Sequence, residues 1–205
     1  GAQGTFLDID FGTYPFVTSS STIAAGACTG AGIAPTKIDR VVGVVKAYTT
    51  RVGEGPFPTE FDAILMEKIR QKGKEFGATT GRPRRCGWFD SVVVKHAVMV
   101  NGLDELVVTK LDVLDELDTI MICTGYKFGD KVYNDFPPSI KVLTGCRPIY
   151  EKFPGWRKPT TRITVYSKLP DNAKKYLKRI QYLLKTKIVL ISVGSERNQT
   201  FSKGD

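Results

Sequence analysis

The chain has 205 residues, with 30 basic and 21 acidic side chains and a net charge of +9. Hydrophobic residues make up 41% and charged residues 25%, so the sequence has the means to bury a core as one domain or two small ones, and intrinsic disorder is excluded. No apolar run approaches the roughly 18 uncharged residues of a membrane-spanning helix, and the opening Gly1-Ala2-Gln3-Gly4 is no signal peptide, so the expected location is cytoplasmic and no membrane partner is expected.

Thr5–Asp10 reads as a short strand running into a loop rich in Gly, Thr and Ser through residue 32. Pro35 starts a short helix, and the β-branched stretch Val42–Val52 predicts one strand ended by Gly53-Glu54-Gly55-Pro56. Phe61, Ile64, Leu65 and Ile69 have helical spacing, with Gly73 as the stop. Residues 76–87 form a Gly/Thr/Arg loop. Asp90 caps a helix ending near Asn101-Gly102, with Phe89 before it as a hydrophobic staple. Glu105–Thr109 is a short apolar strand. Thr119–Phe128 and Lys131–Asn134 predict a hairpin around Gly129-Asp130. After Pro137-Pro138, Arg147–Phe153 adds a strand, a basic helix follows Pro170-Asp171, and Lys187–Ile191 is a last buried strand. Helices alternating with short apolar strands predict an α/β fold. Its largely parallel central sheet is flanked by helices, with a small antiparallel hairpin appendage.

Charge is unevenly placed. Residues 1–150 carry 17 basic and 17 acidic side chains, whereas 151–205 carry 13 and 4. A basic tail suits nucleic acid or an anionic surface. Here, however, Lys174, Lys175, Lys178, Arg179 and Lys185 share one amphipathic helix with Ala173, Tyr176, Leu177, Ile180 and Leu184 at i, i+3, i+4, i+7 spacing. The cations then form its solvated side, and no nucleic-acid partner is expected. Cys28, Cys86, Cys123 and Cys146 form no C-x-x-C pair, and His96 is the sole histidine. Reduced, mostly buried thiols are expected rather than a disulfide framework or a zinc site. For the same reason no Ser–His–Asp or Cys–His arrangement is supported.

In open α/β sheets, ligands gather at the carboxyl ends of strands. After the strand 105–109 comes Thr109-Lys110-Leu111-Asp112. A carboxylate there can accept from the N1–H and N2–H₂ edge of guanine, which adenine cannot offer, while the lysine stem packs over the base. After the last strand, Ser192-Val193-Gly194 can turn backbone N–H groups toward a base carbonyl. The alternative is a solvated strand end in each case. Residues 77–87, GATTGRPRRCG, place three arginines among threonines and glycines and are stiffened by Pro83. Such a loop holds carboxylates or phosphates bidentately, or is simply an exposed basic loop. No G-x-x-x-x-G-K-[ST] phosphate loop is present.

Taken together and in order, these segments resemble the C-terminal half of adenylosuccinate synthetase. The matching stretches are GAQGTFLDIDFGTYPFVTSS at 1–20, VVKAYTTRVGEGPFPTE at 44–60, FGATTGRPRRCGWFD at 76–90, TKLDVLD at 109–115, PIYEKFPGW at 148–156 and LISVG at 190–194. The resemblance implies a P-loop-NTPase-like α/β fold and a purine-biosynthesis ligase. That ligase joins IMP to L-aspartate with GTP and Mg²⁺ through a phosphorylated IMP intermediate. It implies IMP contacts at Gln3, Thr18, Val52 and Arg82, with Gln3 at the base near the transferred phosphoryl group. It implies an aspartate loop of Thr79, Thr80, Gly81 and Arg82. It places Arg84, Lys110, Leu111, Asp112, Ser192, Val193 and Gly194 at GTP.

The family's glycine-rich phosphate loop, its aspartate base, its histidine acid and an arginine reaching across the dimer match nothing in this sequence. The resemblance therefore implies an N-terminal half that supplies the catalytic groups and most Mg²⁺ ligands, and a homodimeric assembly. The expectation is that the 205 residues alone, residues 1–205 being the C-terminal half, have no synthetase activity. A non-catalytic nucleotide-binding module or regulatory fragment is the alternative.

Overall fold

The structure, a computed structural model, describes residues 3–79 and 81–204. In chain order its elements are α1 (Ala25–Ala31), β1 (Val42–Lys46), β2 (Thr49–Arg51), α2 (Ala63–Gly73), β3 (Arg85–Gly87), β4 (Phe89–Asp90), α3 (Ser91–Asn101), β5 (Glu105–Thr109), β6 (Thr119–Phe128), β7 (Lys131–Tyr133), α4 (Ile140–Gly145), β8 (Arg147–Pro154), α5 (Asp171–Leu184), β9 (Lys187–Ser192) and β10 (Thr200–Ser202).

The apolar runs form the central sheet, ordered β1-β5-β9-β10. β1, β5 and β9 are parallel, and β10 closes one edge antiparallel. The register pairs Lys46 with Thr109 and Val108 with Ile191. The carboxyl ends of three strands therefore align, and the segments that follow them emerge on one rim. α5 covers the sheet with Ala173, Tyr176, Leu177, Ile180 and Leu184, all buried, the apolar face that its spacing predicts. The Tyr176 hydroxyl donates to the Ala47 carbonyl at 2.6 Å, pinning the helix over the end of β1.

Local signals set the helix limits. The Asp62 carboxylate accepts from Leu65 N–H and caps α2. Asp90 accepts from the N–H groups of Val92 and Val93 and caps α3, which ends at Gly102 in the left-handed conformation. The predicted hairpin forms from β6 and β7. It belongs to a small, mainly antiparallel sheet beside the central one, in which β6 also pairs along its length with β8 and at Phe89–Asp90 with β4.

Three expectations are corrected. Thr5–Asp10 is not a strand but a 3-10 turn at Thr5–Leu7 followed by turns, because the Asp8 side chain takes backbone N–H groups that a sheet ladder would need. Val42–Val52 is two strands, since the chain turns at the buried Ala47 and Tyr48. Residues 85–87, read as loop, pair with β2. All four cysteines are free, and burial first, then Glu75, pushes the Cys86 thiol up to about 11. Among the described residues no helix is long and apolar enough to cross a membrane.

Candidate functional site

The rim beyond the end of β5 carries a cavity of about 370 Å³ lined by Lys72, Asp112, Asp115, Glu116, Arg157 and Thr161, among others. Lys110 follows β5 in a left-handed backbone conformation (φ 58°), which turns the chain sharply and brings Asp112 to this cavity. The Asp112 Oδ1 atom is buried and, among the described residues, has no hydrogen-bond partner. Burial, with the nearby Asp115 carboxylate, holds its acid above the usual range. A buried acceptor left unsatisfied by the protein costs about 1–3 kcal/mol, and a ligand donor relieves that cost.

The opposite wall is the segment after β8. Gly155 permits its approach, since a Cβ there would lie 1.7 Å from the Leu117 carbonyl oxygen. Below it, Val193 N–H donates to the Gln199 carbonyl at 2.9 Å, and the Gln199 amide reaches the Thr161 carbonyl at 2.9 Å. The turn after β9 is thus tied to the cavity wall.

The arginine-rich segment lies beside this rim. Its ends are closed by Gly77 N–H to the Arg82 carbonyl (2.8 Å) and by Gly81 N–H to the Gly77 carbonyl (2.9 Å), with Gly81 at φ 64°. Thr79, Gly81 and Arg82 are exposed on the loop. Arg84 is held at its base by the Glu75 carboxylate (2.8 Å). Glu75 is fully buried, and it also accepts from Lys46 (2.7 Å) and Tyr48 (2.6 Å). Burial favours its neutral form, but these donors outweigh burial and hold the acid below its usual range.

The N-terminal loop is organised by Asp8. Its carboxylate accepts from the backbone N–H groups of Asp10, Phe11, Thr22 and Ile23 and from the Ser21 hydroxyl. Burial pushes the acid up, but the backbone donors prevail and bring it down to about 2. Arg51 reaches into the same loop, donating to Thr13 Oγ1 (3.0 Å) and the Phe16 carbonyl (3.3 Å). Thr18 N–H donates to the Leu7 carbonyl (2.8 Å). Arg51 therefore connects the loop bearing Thr18 to the strand end bearing Val52.

The family model for adenylosuccinate synthetase matches residues 1–201. The chain belongs to the adenylosuccinate synthetase family. It is 60% identical over 203 residues to the adenylosuccinate synthetase of Thermodesulfovibrio yellowstonii, covering 99% of this chain and 48% of that protein. Against the enzyme of Desulforamulus reducens the identity is 58%, over 98% of this chain and 47% of that one. The solved structure of fully ligated adenylosuccinate synthetase from Plasmodium falciparum superposes with a TM-score of 0.96 at 43% identity, over all of this chain and 49% of that one. A cyanophage S-2L succinoaminodeoxyadenylate synthetase shares the fold, at TM-score 0.58 and 18% identity. The chain spans about half the length of these relatives.

Set on the adenylosuccinate synthetase pattern, the sequence-predicted positions fall into three groups. Lys110, Asp112, Ser192 and Gly194 follow the adjacent strands β5 and β9. Leu111 and Val193 stand with them, but their side chains are fully buried, and the Val193 N–H is spent on Gln199. Thr79, Gly81, Arg82 and Arg84 share the arginine loop; Thr80 lies outside the described residues. Gln3, Thr18 and Val52 belong to the N-terminal loop and the strand end tied to it. His96 is half-buried on α3 against Phe6 and Phe136, and burial lowers its basicity. Sequence reasoning missed Asp8, Arg51, Glu75 and Asp115. Each is an ordinary charged residue in the sequence, and only the fold shows the donors and acceptors that converge on it.

Proposed function

We propose that this chain provides the guanine site, the aspartate site and part of the IMP site of a cytoplasmic, homodimeric ligase. That ligase joins IMP and L-aspartate to adenylosuccinate at the expense of GTP. Family membership supports the reaction, and one observation carries the division of labour: the unpartnered, buried Asp112 oxygen at the cavity after β5. Guanine N1–H and N2–H₂ donate to this carboxylate, and adenine has no such pair.

The chemistry follows from the substrates. The hypoxanthine oxygen leaves poorly until it is phosphorylated, and the aspartate amine then displaces phosphate. Positioning and charge stabilisation dominate such a transfer. Gln3 holds the base near the transferred phosphoryl group, Thr18 the IMP phosphate, and the backbone at Val52 the ribose. Thr79, Thr80, Gly81 and Arg82 form the aspartate loop, Arg82 gripping a carboxylate, while Arg84 reaches toward nucleotide. The base and acid belong to the N-terminal half. Mg²⁺ neutralises phosphate charge when bound. Among the described residues no three His, Cys, Asp or Glu converge as a metal-ligand set, and its ligands belong mainly to the N-terminal half.

The test is Asp112→Asn in the full-length protein. It places a donor before a donor and should weaken GTP by about 1.5–3 kcal/mol while leaving IMP affinity unchanged. Unaltered GTP affinity moves the guanine site elsewhere.

A further inference from the structure

Glu75 is an unused charge at the centre of the site. Its side chain is 0% exposed, and its two oxygens face three cations. Oε2 takes Lys46 Nζ at 2.7 Å and Arg84 Nη1 at 2.8 Å, while Oε1 lies 3.7 Å from Lys110 Nζ and accepts from Tyr48 at 2.6 Å. Arg84 roots the arginine loop, and its backbone N–H also donates to the Glu75 carbonyl at 2.9 Å. Lys110 begins the turn that carries Asp112, and it donates to the Gly73 carbonyl two residues before Glu75. One buried anion thus sets the position of a cation from each of two loops. A displacement of either cation changes the charge balance that holds the other.

We propose that Glu75 is a positioning residue shared by the guanine turn and the arginine loop, which makes guanine nucleotide and aspartate bind cooperatively. This rests on the assignment of those loops to guanine and aspartate. Three cations surround one carboxylate, so Glu75 cannot fully neutralise them. The first anionic ligand consumes that excess, so the gain for the second comes from ordering: a nucleotide that fixes the Lys110 turn also fixes Arg84 through Glu75, and the arginine loop is then already placed. The sign of the coupling is therefore positive.

The experiment is calorimetric titration of GDP onto the full-length protein saturated with IMP, with and without aspartate. The wild-type ratio of the two GDP dissociation constants should be at least about fivefold. Glu75→Gln should bring it within about twofold of unity, while Lys46→Met, which touches the cluster but neither loop, should retain it. A purely structural role lowers the melting temperature and both affinities yet leaves the ratio intact, and that result overturns the proposal. Should Glu75→Gln not fold, hydrogen exchange on the wild-type protein decides: GDP alone should slow exchange in residues 76–84, and unchanged exchange overturns it. Guanine-selective GDP binding with a ratio of one overturns this inference alone. Binding without guanine selectivity overturns the guanine assignment as well.

Discussion

Trp156 donates its indole N–H to the Asp115 carboxylate at 2.7 Å, 41 residues away in sequence and buried from solvent. The same carboxylate accepts from Thr160 N–H at 2.7 Å and from the Thr160 hydroxyl at 2.9 Å. These bonds hold the segment of Arg157, Lys158 and Pro159 as the wall opposite Asp112. Asp115→Ala strands an indole, an amide and a hydroxyl in the interior, at about 1–3 kcal/mol for each unsatisfied group. Urea unfolding should show a loss on the order of 3 kcal/mol, and the KM for GTP should rise. A loss below about 1 kcal/mol would mean that the wall is held by other contacts.

The guanine assignment predicts a change of preference as well as a loss. Xanthine carries a carbonyl at C2 where guanine carries an amino group. In Asp112→Asn the side-chain amide can donate to that carbonyl, so xanthosine triphosphate should replace GTP as the better substrate. The reversal of preference should be at least about tenfold, the value of one charge-assisted bond at about 1.5 kcal/mol. Nucleotide competition assays on the full-length protein measure it, and equal loss of both nucleotides would point to a disturbed fold.

Much of the scaffold was legible because burial and periodicity agreed. The runs at 105–109 and 187–191 are short, apolar and rich in β-branched residues, which suits strands, and the register places their ends side by side. The amphipathic spacing of α5 names its five buried residues. Thr5–Asp10 misled for a physical reason: its apolar residues suggest a strand, but the Asp8 side chain collects four backbone N–H groups and the Ser21 hydroxyl and folds the segment into turns. The aspartate after β5 was visible from strand-end chemistry alone as a candidate acceptor, and the structure brings it to the cavity. Its orphaned oxygen was not, because that depends on how closely the segment after β8 approaches. Glu75 was invisible for a similar reason. It looks like an acid just past a helix end, and the cations around it come from residues 46, 84 and 110.

Arg51 offers a separate handle on the N-terminal loop. Its guanidinium bonds Thr13, Phe16 and the Glu54 carbonyl, and it thereby fixes the loop that carries Thr18 relative to Val52. Arg51→Met keeps much of the apolar stem and removes the donors. A lost bond to a charged group is worth about 1.5–3 kcal/mol, so the KM for IMP should rise by about tenfold or more while that for GTP stays within about twofold. Equal increases for both substrates would show that the loop supports the whole rim rather than the IMP side.

Asp90 gives the protein a distinctive acid response. It is buried, caps α3 and accepts from the Tyr126 hydroxyl at 2.6 Å. Burial raises its acid from 3.8 to about 6, against the pull of Tyr126 and the cap N–H groups. Between these values the folded state holds a proton that the unfolded state has released. This contribution to stability is fully present below about pH 4 and is lost as pH rises through about 6, a change of about 3 kcal/mol. Asp8 works in the opposite sense: its acid is lowered to about 2, so its contribution is present above about pH 4 and is lost below that, outside the Asp90 window. Asp90→Asn retains an oxygen for the cap and the tyrosine but cannot titrate. Urea unfolding of both proteins at pH 4 and pH 6.5 should therefore show wild type losing about 2 kcal/mol relative to the variant on going to the higher pH. Parallel pH dependences would mean that Asp90 stays ionised in the folded state, with the Tyr126 and cap bonds outweighing its burial.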